Sequence, residues 1–295
     1  MEKAKWHKGV VEWTDNDTAY ISVVFSWDAD QAYSRAVWYK SQGYQVRVGG
    51  PGVFVLGSQL KGVASVGGDI DDVVQHHNPS ATFASKGCPV GCSFCIVPAM
   101  EGRDFTLIPD FTPRPILCDN NLSALPSDYQ EHIIKRYQES GVPLLDANSG
   151  FEPHTFDDEV FLRWKAINRG PWRYAYDETS EGPDVERVCK MLAHIAPAKK
   201  RVYVLIGNEP FEACMDRIKE VISWGAEPHV QPVIKLNARR REPWLRHDWT
   251  PHLLKDVARW ANRWIWRTVD FDGYHHSYRK GLKGVGGIDV WNNRL

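Results

Sequence analysis

The sequence predicts an α/β protein. Its central part, residues 81–236, reads as six strand–helix units, a (βα)6 partial barrel of the TIM type. A small α/β extension (1–80) precedes it, and a C-terminal helical and loop extension (237–295) follows it. Two observations carry this reading. Short apolar runs recur roughly every 25 residues, the period of a βα repeat. Between them lie segments whose apolar residues return at helical spacing and stop at glycine. Six such units suit an open barrel better than the full eight.

The first strand is expected at 81–85 (ATFAS) and the second at 114–119 (RPILCD). Ser127 then opens a helix, with Gln130 as the partner of a capping box and Tyr129, Ile133 and Tyr137 as the apolar stripe. Gly141 ends it, and 142–147 (VPLLDA) is the third strand. Thr155 caps the next helix, where Asp157, Asp158 and Glu159 suit the first turn and Val160, Trp164 and Ile167 face the core. The fourth strand is 172–176 (WRYAY), followed by a helix marked by Val185, Val188, Leu192 and Ile195. The fifth is 201–206 (RVYVLI), followed by a helix marked by Cys214, Ile218, Val221 and Ile222. The sixth is 229–236 (HVQPVIKL).

Composition narrows the classes of function. Over 295 residues, 43% are hydrophobic and 25% charged, enough apolar material for a full core and too much for a disordered chain. Lys+Arg 36 against Asp+Glu 37 excludes a chain-wide affinity for polyanions, though not a local basic patch. No apolar run approaches the ~18 residues of a membrane span. The first residues lack the apolar core of a signal peptide, so a cytoplasmic location is expected.

Cysteine spacing is the most informative feature. Cys88, Cys92 and Cys95 stand in the string GCPVGCSFCIVP as C-x3-C-x2-C, with Gly87, Pro89 and Gly91 supplying turn geometry. Structural zinc wants four protein ligands, and a fourth is not evident nearby. A [4Fe-4S] cluster held by three thiolates keeps one iron open for another ligand. A zinc knuckle, or three inert buried thiols, is the alternative. Cys118, Cys189 and Cys214 are scattered and read as small core residues.

With Phe94 as its aromatic, the motif resembles the signature of the radical S-adenosylmethionine superfamily. The loop is most similar to that of the cobalamin-dependent and methylthiotransferase-like branch. The resemblance implies a (βα)6 partial barrel and a [4Fe-4S] cluster on Cys88, Cys92 and Cys95. It also implies an open iron chelated by S-adenosylmethionine, and reductive cleavage to a 5′-deoxyadenosyl radical that takes hydrogen from a substrate. An electron donor of the flavodoxin or ferredoxin kind is implied as a partner. Phe94 belongs with the cofactor-contacting positions.

In parallel α/β folds, sites lie at the carboxyl ends of the strands. The residues there are Asp119, Asn120 and Asn121, then Ser149, then Asp177, then Leu205, Gly207 and Asn208, then Gln231. The resemblance places Asp119-Asn120-Asn121 where the family has Gly-Gly-Glu against the methionine amino group. Asp177 suits ribose hydroxyls. Leu205 and Gly207 keep part of the family's adenine motif, but Pro210 stands where its Glu would fall. Gln231 would lie under the adenine. Tyr176 is a pocket-wall candidate whose ordinary role is core packing. The absence of further cysteine groups points to a single-cluster enzyme with an unidentified substrate.

Before the cluster, 18–27 and 44–52 read as strands around a helix headed by Asp28 or Asp30, with Ala32, Ala36 and Tyr39 inward and Gly43 at its end. This resembles a shortened cobalamin domain. Its Asp-x-His-x-x-Gly motif is missing, which argues against bound cobalamin. His76 and His77 read as loop residues. After the barrel, 235–283 holds twelve Lys/Arg against five acids, a local charge of +7, interleaved with tryptophans. Thr250-Pro251 opens a helix with Leu253, Val257, Trp260 and Trp264 on its apolar stripe. A solvated basic face is one reading of this segment. A nucleic-acid footprint is the other, either for a base-modifying radical enzyme or for a zinc-knuckle binding protein.

Overall fold

The computed structural model describes residues 4–67, 70 and 72–274. The Gly-rich tail, Trp291, Arg279, Lys280 and Lys283 lie outside the described residues. The chain divides into two compact units: Met1–Asn120 with Glu131–Asp146 and Ile234–Glu242, and Asn121–Gln130 with Ala147–Val233 and Pro243–Leu295.

The first unit opens on β1 (Val11–Asp15) and β2 (Thr18–Ser22), an antiparallel pair that turns through Asn16 at φ 51°. Sequence reasoning missed β1, because VEWTD mixes two acids with its apolar residues. Then come α1 (Ala29–Ser41), β3 (Gln45–Gly49) and β4 (Ser65–Val66), giving a sheet in the order β1-β2-β3-β4. Ala29, Ala32, Ala36 and Tyr39 of α1 are buried with Ala19, Ile21, Val46 and Val48 in one core, as the helical and alternating periods require. Asp28 holds the cap position of α1 without a side-chain hydrogen bond.

Residues 73–77 form α2 (Val73–His77), not a loop. His77 is buried, with Nε2 2.8 Å from Ser22 Oγ, and burial lowers its pKa to about 4. His76 stacks on Trp13 at 3.9 Å. The expected first strand is split into β5 (Ala81–Thr82) and β6 (Ser85–Lys86). After β6 come the cysteine loop, α3 (Val97–Met100), β7 (Thr106–Leu107) and β8 (Ile116–Leu117). β6 pairs antiparallel with β7, and β5 pairs parallel with β8.

The next helix, α4 (Ser127–Ser140), buries Tyr129, Ile133 and Tyr137 as expected. The capping box does not form. Gln130 donates instead to Ser123 O and Leu125 O, and accepts from Trp164 Nε1 at 2.9 Å. β9 (Asp146–Ala147) completes the order β5-β8-β9.

In the second unit, α5 (Asp158–Lys165) is capped by Asp157, whose carboxylate accepts from Val160 N at 2.9 Å. Thr155, the expected cap, lies in a 3-10 turn and bonds Ser123 Oγ. Then follow β10 (Trp172–Ala175), α6 (Gly182–Met191), β11 (Lys200–Ile206), α7 (Phe211–Ser223), β12 (Glu227–Pro232) and α8 (Pro251–Asn262). β10, β11 and β12 form one parallel sheet in chain order. Phe151, Phe156, Phe161, Trp164 and Trp172 make an aromatic core with ring centroids 5.0–5.6 Å apart.

Thr250 caps α8 through Leu253 N, as read from the sequence. The buried stripe of α8 is Leu254, Val257, Trp260 and Ala261. Trp264 lies beyond the helix, 44% exposed at φ 55°, rather than on that stripe. The molecule is thus a mixed α/β protein with several small sheets, and among the described residues none closes into a barrel. No described helix is long and apolar enough to cross a membrane.

Candidate metal centre

The cysteine loop occupies the span between β6 and β7, so antiparallel pairing of Ser85 with Leu107 and Lys86 with Thr106 closes its base. Cys88, Cys92 and Cys95 are each half-buried, and none forms a disulfide. Two glycines shape the loop. Gly87 sits at φ 88°, where a Cβ would overlap the Asp104 carbonyl; Gly91 sits at φ 71°, where a Cβ would meet only the guanidinium end of Arg103. A side chain at Gly87 would displace the backbone that carries Cys88, and at Gly91 the cost is the left-handed φ. Cys95 N donates to Cys92 O at 3.0 Å, a tight turn between two of the thiols.

Among the described residues, no three Cys, His, Asp or Glu side chains already stand in the arrangement of a metal site. Thiolate sites are commonly gathered by the metal itself, because binding and local folding are coupled. The donor set fits a three-thiolate cluster: three cysteines on one short loop, on turns only glycine makes easily, above a pinned base. Phe94 is half-buried within that loop.

Asp119 and Asn120 stand in the same unit as the loop, and both serve its framework. Asp119 is fully buried; its carboxylate accepts from Ala84 N at 2.8 Å and from Ser85 Oγ at 2.5 Å. Burial pushes its pKa up to about 7 despite those hydrogen bonds. Asn120 donates to Glu101 Oε2 at 2.7 Å.

The remaining positions belong to the second unit. Asn121 is buried, its Oδ1 accepting from Ala124 N at 3.1 Å, a local turn. Ser149 is exposed, beside Gly150 at φ 85°. Leu205 and Gln231 are directly paired in register on β11 and β12, and Gln231 is exposed. Gly207 is buried, with a Cβ position in ordinary contact with Val233 and Leu254. Asn208 Nδ2 donates to Asp177 O at 2.6 Å, so the ends of β10 and β11 are tied together. Burial, then the neighbouring Glu181, raises the pKa of Asp177 to about 7.

Arg217 organises these ends. It is 1% exposed, donates to Tyr176 O at 2.5 Å and to Leu205 O at 2.9 Å, and pairs with Glu209 at 3.0 Å. Sequence reasoning passed over it. The available signal was a charged residue on the apolar face of α7, between Cys214 and Ile218. Tyr176 is buried and donates to Glu220 at 2.7 Å, a core role. Arg173, Arg201, Tyr203 and His229 share the half-exposed face of this sheet, and burial with both arginines lowers His229 to about 4.

Four arginines of the basic segment have contacts within the protein. Arg239 bonds Asp30 and Val55 O at 2.7 Å each, and Arg267 bonds Glu227 at 2.6 Å. Arg241 lies over Trp27, and Arg246 over Trp244. Trp249 and Trp260 are buried, each donating to a backbone carbonyl. No protein-family model matches the chain. No curated protein matches it either.

Proposed function

We propose that the chain is a single-cluster radical S-adenosylmethionine enzyme on a (βα)6 partial barrel, acting on an unidentified substrate. The observation that carries this reading is C-x3-C-x2-C with Phe94, on a glycine-shaped loop closed by β6 and β7. The two three-stranded sheets that follow chain order support the barrel. Cys88, Cys92 and Cys95 would hold the [4Fe-4S] cluster, which supplies reductive cleavage of S-adenosylmethionine.

The chain's own residues bind and orient. Asp119 anchors the strand that enters the loop. In the second unit, Asn208 and Arg217 fix the strand ends that carry Asp177, a hydrogen-bonding candidate for ribose. An electron donor of the flavodoxin or ferredoxin kind completes the reading, in the reducing cytoplasm where thiols persist. Nucleic acid is the less favoured partner, because Arg239 and Arg267 of the basic segment are bonded within the protein.

Anaerobic reconstitution with iron and sulfide, followed by an assay for 5′-deoxyadenosine under reduction, tests the proposal. Wild type should bind about four irons and form product, and Cys92→Ala should form none. A protein that takes up zinc and no cluster would sink the reading.

A further inference from the structure

The peptide just before Cys88 is gripped on both sides. Gly87 N–H donates to Glu101 Oε2 at 2.9 Å, and Asn120 Nδ2 reaches Gly87 O at 3.4 Å. Asn120 Nδ2 also donates to the same Glu101 oxygen at 2.7 Å. A carboxylate only accepts, so the amide must present its nitrogen. Cys88 N–H, next in the chain, reaches Gly102 O at 3.4 Å. The positive φ of Gly87 aims this peptide at Glu101 and leaves no room for a Cβ beside Asp104 O.

We propose that Asn120 and Glu101 are positioning residues that present Cys88 to the metal. Asn120 would then act on the cysteine loop rather than on S-adenosylmethionine. This inference rests on the cluster reading of Cys88, Cys92 and Cys95. Hydrogen-bonded partners of a metal-bearing loop commonly govern metal retention by 10–100-fold.

The donor–acceptor pattern sets the test. Glu101→Ala removes the acceptor of Gly87 N–H. Asn120→Asp sets two carboxylates against each other. Glu101→Gln keeps a carbonyl oxygen that can accept from both Gly87 N–H and Asn120 Nδ2, as the carboxylate oxygen does.

The measurement is the rate at which a chelator strips iron from the anaerobically reconstituted protein, with the electron paramagnetic resonance spectrum of the reduced cluster recorded beside it. Circular dichroism checks that each variant is folded. Glu101→Ala and Asn120→Asp should lose iron about tenfold faster with an altered spectrum, and Glu101→Gln should match wild type. Glu101→Ala and Asn120→Asp variants that hold iron as wild type does, or a Glu101→Gln variant that loses it as fast as Glu101→Ala, would overturn the inference and leave the cluster reading intact. A wild-type chain that takes up no iron would overturn both.

Discussion

Asp119 has no exposed surface, and its carboxylate faces hydrogen-bond donors from Ala84 and Ser85. Burial outweighs those hydrogen bonds, so its pKa rises from 3.8 to about 7. The folded chain therefore keeps a proton that the unfolded chain releases. The stability this group contributes is present below the unfolded value and is lost as pH rises from about 4 to about 7. Asn at this position can accept from Ala84 N and donate to Ser85 Oγ. Asp119→Asn should therefore fold and remove a fall of about 1.4 kcal/mol per pH unit across that window. Urea unfolding at several pH values, wild type beside variant, reads this directly. Equal slopes would mean that Asp119 does not hold its proton. The sequence marks Asp119 as a strand-end residue. It does not tell that the carboxylate turns back onto its own sheet, because Ser85 lies 34 positions upstream.

Helices were the most legible elements, since apolar spacing is a local property. The stripes of α1 and α4 fall on the residues read from the sequence, as do Val185 and Val188 of α6 and Cys214, Ile218 and Val221 of α7, whereas Ile195 lies past the end of α6. Ends were less legible. Thr155 and Asp157 both suit a cap, and the 3-10 turn starting at Pro153 decides in favour of Asp157. Asp157→Ala should lower stability by about 1 kcal/mol, and Asp158→Asn should change it by less than about 0.5 kcal/mol. Thermal unfolding of both variants is the check. A larger loss at Asp158 would contradict the cap. Gln130 shows the other way an end misleads. A Gln three residues into a helix suits a capping box, yet the indole of Trp164 claims its carbonyl, and a core hydrogen bond outcompetes a solvent-exposed cap.

Charge is a whole-molecule property that sequence counting handles poorly. The +7 of 235–283 suggests one basic surface. The structure divides that segment between the two units and bonds Arg239 within one and Arg267 within the other. Arg239 ties 234–242 to Asp30 and Val55 O, aided by Ser26 Oγ donating to Ala238 O at 2.6 Å. Arg239→Ala should lower the urea midpoint by the equivalent of about 1 kcal/mol. Arg240→Ala, at an exposed position, should stay within about 0.5 kcal/mol. Equal effects at the two positions would return the segment to the status of a solvated face.

By itself, the sequence determined the α/β class, the stripes of α1 and α4, the approximate place of six strands, and the C-x3-C-x2-C spacing. All of these are set by neighbours within a few residues, through backbone period and turn preference. Only the tertiary structure decided which partners the buried polar groups take: Asn120 with Glu101, Gln130 with Trp164, Arg217 with Tyr176 and Leu205. These partners lie 12 to 41 residues apart. A buried donor or acceptor must be satisfied wherever the fold brings a partner, and no local period encodes that choice.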